Sequence, residues 1–543
     1  MNGSGEPAYD PAMVRHDPMR RRDVLAGGVA ALTAGACSAA GSARISLLDY
    51  LPPAEHQRIA AGTSDLDVAP LIARALRDSI AAHSVLWLPR GLYTVLPAIP
   101  LIHADHFECL AAIRILSGMR IAGEAGTTLR VAAGYSTDAR PRAGVMFGAD
   151  ASVADVELSG LTLDMNGRAN PISPDRAAGH YARYPQAQIF VSSRDGAPAA
   201  RIDRARIADV SFRDANGVSC IVMAQNSDPA ALLGRGWTID RCRFEENGHD
   251  TDDHSSIFAW AEEVAINSCR FVNARPFDGT GVNTAIEVHG ARQRITRSTF
   301  VNMMRGIWVA NNFSAPTVDT LVADNDFRPV FYGVDFFHDR PSAREVVDTR
   351  IERNRFAFDD TAIARLSRLD LKAAVQIASE YAQRKIAVTG NVATKKGHAI
   401  TAAFVVVTGG ASGDRRHDAI SVTGNIGDGL TFGSFLRTAP GAGLGSITLT
   451  GNRWTGLAPS RTMAIAAGDA VEQTGHPQPI ETLTLGGGTA EPATRGDRRF
   501  RPVFINTLVR SLVIKPVDGY GSGGVPVVLG GAARVLRTER PAS

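Results

Sequence analysis

The sequence predicts an all-β protein, and more narrowly a right-handed, single-stranded parallel β-helix with an N-terminal capping helix. Of its 543 residues, 53 are Gly and 44% are hydrophobic, which excludes a wholly disordered chain and allows a large core. A six-residue pattern recurs along most of the chain, with an aliphatic residue first, Asn or a small residue fourth, and an aromatic or aliphatic residue sixth. The shortest spacing between its copies suits one three-sided coil of a solenoid.

The copies of this pattern define the coils. The pattern is first seen as LSGMRI at Leu116 and last seen as LTGNRW at Leu449. The copies between them begin at Leu158, Ile207, Ile239, Ile266, Ile295, Val322, Ile351, Val388 and Val422. From Leu158 onward the successive spacings are 49, 32, 27, 29, 27, 29, 37, 34 and 27 residues. We therefore predict a 27-residue unit with loop insertions, whose coils stack at about 4.8 Å.

The fourth position of the pattern is polar in the later copies. It is occupied by Asn325, Asn354, Asn391, Asn425 and Asn452. We expect an asparagine ladder, because Asn tolerates the left-handed conformation of a tight corner and its amide can bond to the coils above and below. Cys242 and Cys269 take the same position in neighbouring coils, where we expect buried thiols rather than a disulfide or a metal site.

The N-terminal residues resemble a twin-arginine export signal. Arg20, Arg21 and Arg22 precede an apolar run over residues 24–36, which is shorter than the roughly 20 residues of a membrane-spanning helix. No later window reaches that length, so we expect no integral membrane segment in the mature chain. Cys37 follows a sequence similar to a lipoprotein box, which makes a lipid anchor there an alternative to ordinary cleavage nearby. The expected location is the periplasm or the extracellular medium.

The net charge limits the expected partners, and the extent of the repeats sets the expected domain boundaries. Lys and Arg number 58 and Asp and Glu 55, a net charge of +3 that is too balanced to suggest nucleic acid as a partner. We divide the chain into residues 1–43 (signal and linker), 44–460 (the β-helix and its cap) and 461–543 (C-terminal coils or a cap). The β pattern over residues 507–514 suits either a cap or a surface for homo-oligomerisation.

Three segments near the start of the solenoid carry a family resemblance. An amphipathic helix over residues 67–80 is followed by a strand ending in Pro-x-Gly-x-Tyr at Tyr93, and then by Ser-Gly-x-x-Ile-x-Gly from Ser117. This order is similar to the pectate-lyase-like superfamily, and within it to the branch with rhamnogalacturonase, epimerase and phage tailspike modules. The resemblance covers roughly residues 45–460. It implies that the helix caps the open end of the β-helix, and it leaves the reaction open because this fold hosts lyases, hydrolases, epimerases and adhesins.

Alignment of the coils on their anchors predicts an outward strip with unusual residues. The inward position is taken by Ile257, Ile286, Ile307 and Val334. The next residues, expected to point outward, are Phe258, Glu287, Trp308 and Asp335, and two positions further lie Trp260, His289, Ala310 and Phe337. Exposed aromatic residues beside acids are unusual on a solvated strand face, and sugar rings stack well on such aromatics. We therefore expect a polysaccharide-binding site here.

The strip and the acidic segment over residues 249–256 supply the candidate site residues. The candidate catalytic residues are Glu287, Asp335, Asp253 and His289. The candidate substrate-binding residues are Trp308, Trp260, Asp252, His254 and Arg305. Several have a structural alternative: a strand-capping turn for the segment over residues 249–256, packing beneath an insertion for the Trp residues, an ordinary surface residue for His289, and a solvated turn for Arg305.

The carboxylates suggest hydrolysis of glycosidic bonds. Glu287 and Asp335 are two coils apart, about 9–10 Å between Cα atoms, and inverting glycosidases hold their carboxyl groups about 6.5–9.5 Å apart. One would protonate the glycosidic oxygen while the other activates water, without a cofactor, and aromatic neighbours would raise the pKa of the acid. Asp252 or Asp253 could instead pair with Glu287 from the adjacent coil.

Two other functions stay open. A polysaccharide lyase or epimerase would use His289 or His254 as the base on a uronate polymer, with calcium held by Asp252 and Asp253. The acidic, aromatic strip and the absence of Lys from residue 201 to residue 371 argue against it. The third function is a non-catalytic surface protein that only binds glycan.

Overall fold

The structure is a computed structural model, and the account below concerns the residues that it describes. These are residues 43–101, 109–137, 143–171, 186–191, 200–223, 234–248, 253–273, 282–310, 317–336, 345–359, 371–378, 382–397, 400–409, 416–438, 443–457, 463–467, 479–494, 501–515, 527–529 and 534–539. The predicted export signal, Cys37, Asp252 and Phe337 lie outside the described residues, as does the side chain of Asp253.

The described strands form a right-handed parallel β-helix, which confirms the predicted fold class. Successive coils pair in parallel and contribute strands to three stacks, which we call the first, second and third sheets. One pairing near the N-terminus, between Ile99–Leu101 and Cys109–Arg114, is antiparallel.

The strands are grouped by sheet, and four long strands turn a corner and serve two sheets. The first sheet contains Arg44–Ser46, Val85–Leu88, Arg120–Gly123, Val153–Ser159, Ile202–Ala208, Gly234–Asp240, Ala261–Asn267, Arg294–Thr296, Thr317–Ala323, Val346–Glu352, Gln383–Thr389, Asp418–Thr423, Leu444–Leu457, Ile480–Pro492, Leu508–Ile514 and Arg534–Glu539. The second contains Leu92–Val95, Thr128–Val131, Thr162–Asp164, Ser211–Arg213, Arg243–Glu245, Arg270–Val272, Thr299–Val309, Asp326–Asp335, Arg355–Asp359, Val392–Lys396, Ile426–Asp428, Leu444–Leu457 and Ile480–Pro492. The third contains Ile99–Leu101, Cys109–Arg114, Ala143–Ala149, Gln186–Val191, Ser219–Val222, Asp253–Ala259, Val282–Val288, Thr299–Val309, Asp326–Asp335, Lys372–Ile377, Ala402–Thr408, Phe432–Arg437, Met463–Ala467, Arg501–Ile505 and Val527–Leu529.

Helices lie at the N-terminal end of the solenoid. Among the described residues, α-helices span Pro53–Ala61 and Ala69–Ala81 and a 3-10 turn spans Leu47–Tyr50 at this end, and a further 3-10 turn spans Gly167–Ala169 within the solenoid. The second α-helix confirms the amphipathic helix predicted over residues 67–80. Its apolar face is fully buried and shares one hydrophobic core with the first coil, so it covers apolar side chains that the first coil would otherwise expose. No helix among the described residues combines the length and the apolar character needed to cross a membrane.

A column of phenylalanines runs through the interior behind the second sheet. It comprises Phe212, Phe244, Phe271, Phe300, Phe327 and Phe356. Successive rings are nearly parallel, and their centroids are 4.5–5.1 Å apart. This spacing matches the distance between stacked strands, so the sixth position of the repeat builds a continuous apolar core.

The asparagine ladder is present at the neighbouring corner. The Asn391 side chain donates to the Ile351 carbonyl at 2.8 Å and to Asn425 Oδ1 at 3.0 Å, and it accepts from the backbone and amide nitrogens of Asn354. One part of the expectation is wrong: the left-handed residue is the one before each asparagine, such as Arg353 with φ 53° and Gly390 with φ 63°. The asparagine itself faces the interior, where its amide group provides hydrogen-bond partners for buried polar groups of the corner.

Cys242 and Cys269 are free, buried thiols, as predicted. Their sulfur atoms lie 3.7 Å and 3.5 Å from the carbonyl oxygens of Ile207 and Ile239. The hydrogen bond between the two thiols, and then burial, raise the pKa of Cys242 far above its ordinary value. These cysteines therefore act as small apolar residues at the position that asparagine takes in later coils.

Candidate functional site

The register of the third sheet confirms the alignment of the outward strip. Phe258 pairs with Glu287, Glu287 with Trp308, and Trp308 with Asp335. These four residues, which we call the outer strip, therefore occupy one row on four successive coils. The row continues to Gln376 on the following coil.

A second outward row lies beside the outer strip, three residues earlier on each strand. This companion row comprises Ser255, Thr284, Arg305 and Tyr332, which pair in succession. Strict alternation of side chains hides this row, because two consecutive residues face the interior between the rows. A Cβ placed on Gly306 or Gly333 would collide with the rings of Phe327 or Phe356. Small residues recurring at that position are the sequence signal that could have revealed the row.

Glu287 lies at the centre of a hydrogen-bonded group. Ser255, on the preceding coil, donates its hydroxyl to Glu287 Oε1, and His289 Nε2 lies 3.0 Å from Glu287 Oε2. Both neighbours are buried, and Glu287 itself is 8% exposed. The carboxyl group is thus held in one orientation by two side chains that sequence alignment alone did not connect to it.

Asp335 is fully buried and forms an ion pair with Arg305. Arg305 Nε lies 2.7 Å from Asp335 Oδ2, and its guanidinium carbon lies 4.9 Å from the centre of the Trp308 ring. The expectation of a solvated turn at Arg305 is wrong, since this residue lies within strand Thr299–Val309 and its side chain is only 12% exposed. The guanidinium and the carboxylate are thus in direct contact in a nearly water-free position.

Trp308 separates the two carboxylates along the outer strip. Its ring is in edge contact with His289, with centroids 6.4 Å apart, and Phe258 lies on the other side of His289 at 4.5 Å. Trp308 is partly exposed, so part of its surface is available to a ligand. Phe258, His289 and Trp308 together form an aromatic wall beside Glu287.

Other predicted site residues are buried differently from the expectation. Trp260 is 3% exposed and packs edge-on against Phe258, so the expected exposed aromatic platform is wrong at this position. His254 is also buried; its Nδ1 lies 2.8 Å from the Gly217 carbonyl, and its Nε2 lies 3.8 Å from the core residue Cys220. The structure therefore brings together Glu287, His289, Arg305, Trp308 and Asp335, and it leaves His254 among interior groups.

Apolar clusters flank this ionisable group along the third sheet. Toward the N-terminus, one cluster contains Val145, Phe190 and Val222, with Phe258 against its edge. Toward the C-terminus, another contains Val406 and Phe432, with Tyr332 packed against it. The charged side chains of the site thus lie between two apolar surfaces, where electrostatic interactions are less screened than in water.

Comparison with known proteins finds similarity in structure. No family model and no curated protein matches the sequence. Solved structures of the tailspike protein of E. coli bacteriophage HK620 are similar, each covering 91% of this chain and 80% of the tailspike chain. A Glu→Gln variant in complex with a pentasaccharide aligns with a TM-score of 0.58 at 14% identity. A double variant with the same type of ligand gives 0.58 at 12%, and the protein without a named substitution, with pentasaccharide, gives 0.56 at 13%. At these identities the likeness concerns the fold, and the chain has the parallel β-helix fold of the tailspike structures.

Proposed function

We propose that this protein is a carbohydrate-active enzyme that hydrolyses glycosidic bonds of a polysaccharide through Glu287 and Asp335. The observation that carries the proposal is the register, which puts two buried, outward-facing carboxylates on alternate coils with Trp308 between them. The tailspike structures with a similar fold contain bound oligosaccharides, which supports a glycan as the partner.

The surroundings of the two carboxyl groups suggest different roles. Two stacking steps separate their Cα atoms by about 9–10 Å, close to the spacing that leaves room for a water in inverting glycosidases. Asp335, ionised beside Arg305, takes a proton from this water as its oxygen bonds to the anomeric carbon. Glu287 donates its proton to the departing glycosidic oxygen, and Ser255 and His289 hold it in place. Trp308 stacks on a sugar ring.

Export is part of the proposal. The twin arginines at Arg21 and Arg22 and the apolar run behind them favour transport to the periplasm or the medium, where polysaccharides are accessible. Lipid attachment at Cys37 would keep the protein at a membrane surface. The proposed hydrolysis uses two carboxylates and water and calls for no cofactor.

A polysaccharide lyase is the second candidate, and the position of Arg305 is the observation that favours it. β-Elimination needs a cation to neutralise a uronate carboxylate and a base to remove a proton. Arg305 and His289 both contact the Trp308 ring. Arg305 already forms an ion pair with Asp335, so we place hydrolysis first.

The test is turnover by Glu287→Gln and Asp335→Asn variants on polysaccharides of neutral and acidic type. Loss of a general acid or base lowers kcat by about 10²–10⁴-fold, and the thermal unfolding midpoint of Glu287→Gln should stay close to that of the wild type. Glu245→Gln, on the second sheet, is the matched control and should turn over normally. New reducing ends without enol-ether absorbance indicate hydrolysis, whereas that absorbance indicates a lyase. Unchanged turnover by Glu287→Gln would contradict the assignment.

A further inference from the structure

Thr284 carries a hydroxyl group whose position calls for a ligand. Its side chain is fully buried, yet Oγ1 has no hydrogen-bond partner. A buried polar group without a partner typically lowers stability by about 1–3 kcal/mol, so native proteins rarely leave one unused. Thr284 lies in the companion row between Ser255 and Arg305, on the strand that carries Glu287.

The row distinguishes Thr284 from other buried threonines. Thr320 and Thr349 also have unpartnered hydroxyl groups, but they pair with each other on the first sheet, next in register to the core residue Ile386. Both side chains are fully buried in register with this core residue. The neighbours of Thr284 in its row are instead the hydroxyl that holds Glu287 and the guanidinium that binds Asp335. Its hydroxyl therefore faces the candidate site.

The orphan atom of the preceding residue belongs to a different row. Asn283 Oδ1 is also buried and without a partner, but Asn283 pairs in register with His254, which lies among interior groups. Thr284 is therefore the group that joins the companion row at this point. A threonine hydroxyl can both donate and accept hydrogen bonds, so this neutral group matches a hydroxyl group of a sugar.

We propose that Thr284 forms part of a subsite for an uncharged, hydroxyl-bearing sugar residue beside Glu287. This inference rests on the proposed function and adds the type of sugar. A sugar carboxylate would be disfavoured here, because the Arg305 guanidinium that could neutralise it is engaged by Asp335. Thr284 Oγ1 bonds to one hydroxyl group of the sugar ring.

The test measures oligosaccharide binding by Thr284→Val, which replaces the hydroxyl with a methyl group of similar size. The probes are neutral oligosaccharides of hexose and N-acetylhexosamine residues, and oligogalacturonates. We expect the wild type to prefer a neutral probe and Thr284→Val to bind it about tenfold more weakly, the size of one hydrogen bond. The thermal unfolding midpoint should be unchanged or higher, since an unpaired buried hydroxyl is removed.

Thr349→Val is the matched control, because it removes an equally buried and equally unpartnered hydroxyl away from the site. It should bind the probe as the wild type does, and Thr284→Ser should retain affinity if Thr284→Val misfolds. If Thr284→Val binds the probe with wild-type affinity while cleavage still depends on Glu287, the subsite is overturned and the proposed function is not. Preference for oligogalacturonate overturns the neutral assignment. A wild type that binds neither class overturns the proposed function together with this inference.

Discussion

The interior columns and the outer strip follow opposite rules. In the interior, Phe271 stacks between Phe244 and Phe300, and each asparagine of the ladder bonds to another asparagine. The repeat itself supplies the contacts at these positions, because the partner of each side chain is the same residue type on the adjacent coil. On the outer strip no residue type recurs in adjacent coils, and the contacts join unlike groups. In this solenoid, a repeated row indicates support of the fold, and a broken repetition indicates a site.

The largest expected effect comes from opening the interior column. Phe271→Ala removes a fully buried ring with stacked neighbours on both sides, and such changes lower the free energy of unfolding by about 3–5 kcal/mol. Trp308→Ala, on the outer strip, removes a partly exposed ring and should lower stability by less, while weakening glycan binding. Urea unfolding and oligosaccharide binding of the two variants measure this contrast. Equal losses of stability would contradict the distinction between the rows.

A somewhat smaller effect is expected from a gap in the asparagine ladder. Asn391→Ala removes bonds to Ile351, Asn354 and Asn425 and leaves buried polar groups without partners. We expect a loss of about 2–4 kcal/mol in the free energy of unfolding. Asn267→Ala is the control: this partly exposed corner asparagine bonds to Asp240, and its loss should change stability by under about 1 kcal/mol. Similar urea midpoints for the two variants would show that the ladder does not act as a unit.

The sequence could predict what repetition determines. The recurring apolar anchors set the register, so the alignment of Phe258, Glu287, Trp308 and Asp335 on successive coils was correct. The companion row could not be found by alternation, because two consecutive residues, ending at Ile307 and at Val334, face inward. Burial of Trp260, and the contact of Arg305 with Asp335, depend on packing between coils that no local pattern records.

The candidate site also contains residues that no sequence pattern marks as functional. Ser255 and Thr284 are common residues in strands, and nothing in their immediate sequence separates them from Thr349. Their roles follow from the row that each one joins, because the row decides whether a hydroxyl meets apolar core or a carboxylate. In this fold, candidate functional residues are therefore recognised from the register of the strands.

The smallest effect concerns His417, an ionisable exception inside the interior of the first sheet. It is fully buried, and its Nδ1 accepts the backbone N–H of Gln383 at 3.2 Å, so the neutral imidazole is the bonded form. Burial lowers the pKa of His417 to about 4 from its ordinary value of 6.5. The unfolded chain therefore binds the proton first as pH falls below 6.5, and the stabilisation present above that pH decreases until about pH 4.

Between pH 7 and pH 5 this histidine should remove about 2 kcal/mol from the free energy of unfolding. His417→Gln, which cannot take up a proton, should show a correspondingly flatter dependence of the urea midpoint on pH. Substitution of the exposed His83 is the control and should keep the slope of the wild type. If His417→Gln keeps the wild-type slope as well, the interior accommodates a charged imidazole at this position. His417 would then not need to stay neutral in the folded protein. A flattened slope would show that an unrepeated polar residue survives in the interior by staying neutral, whereas Asp335 on the outer strip is paired with a guanidinium.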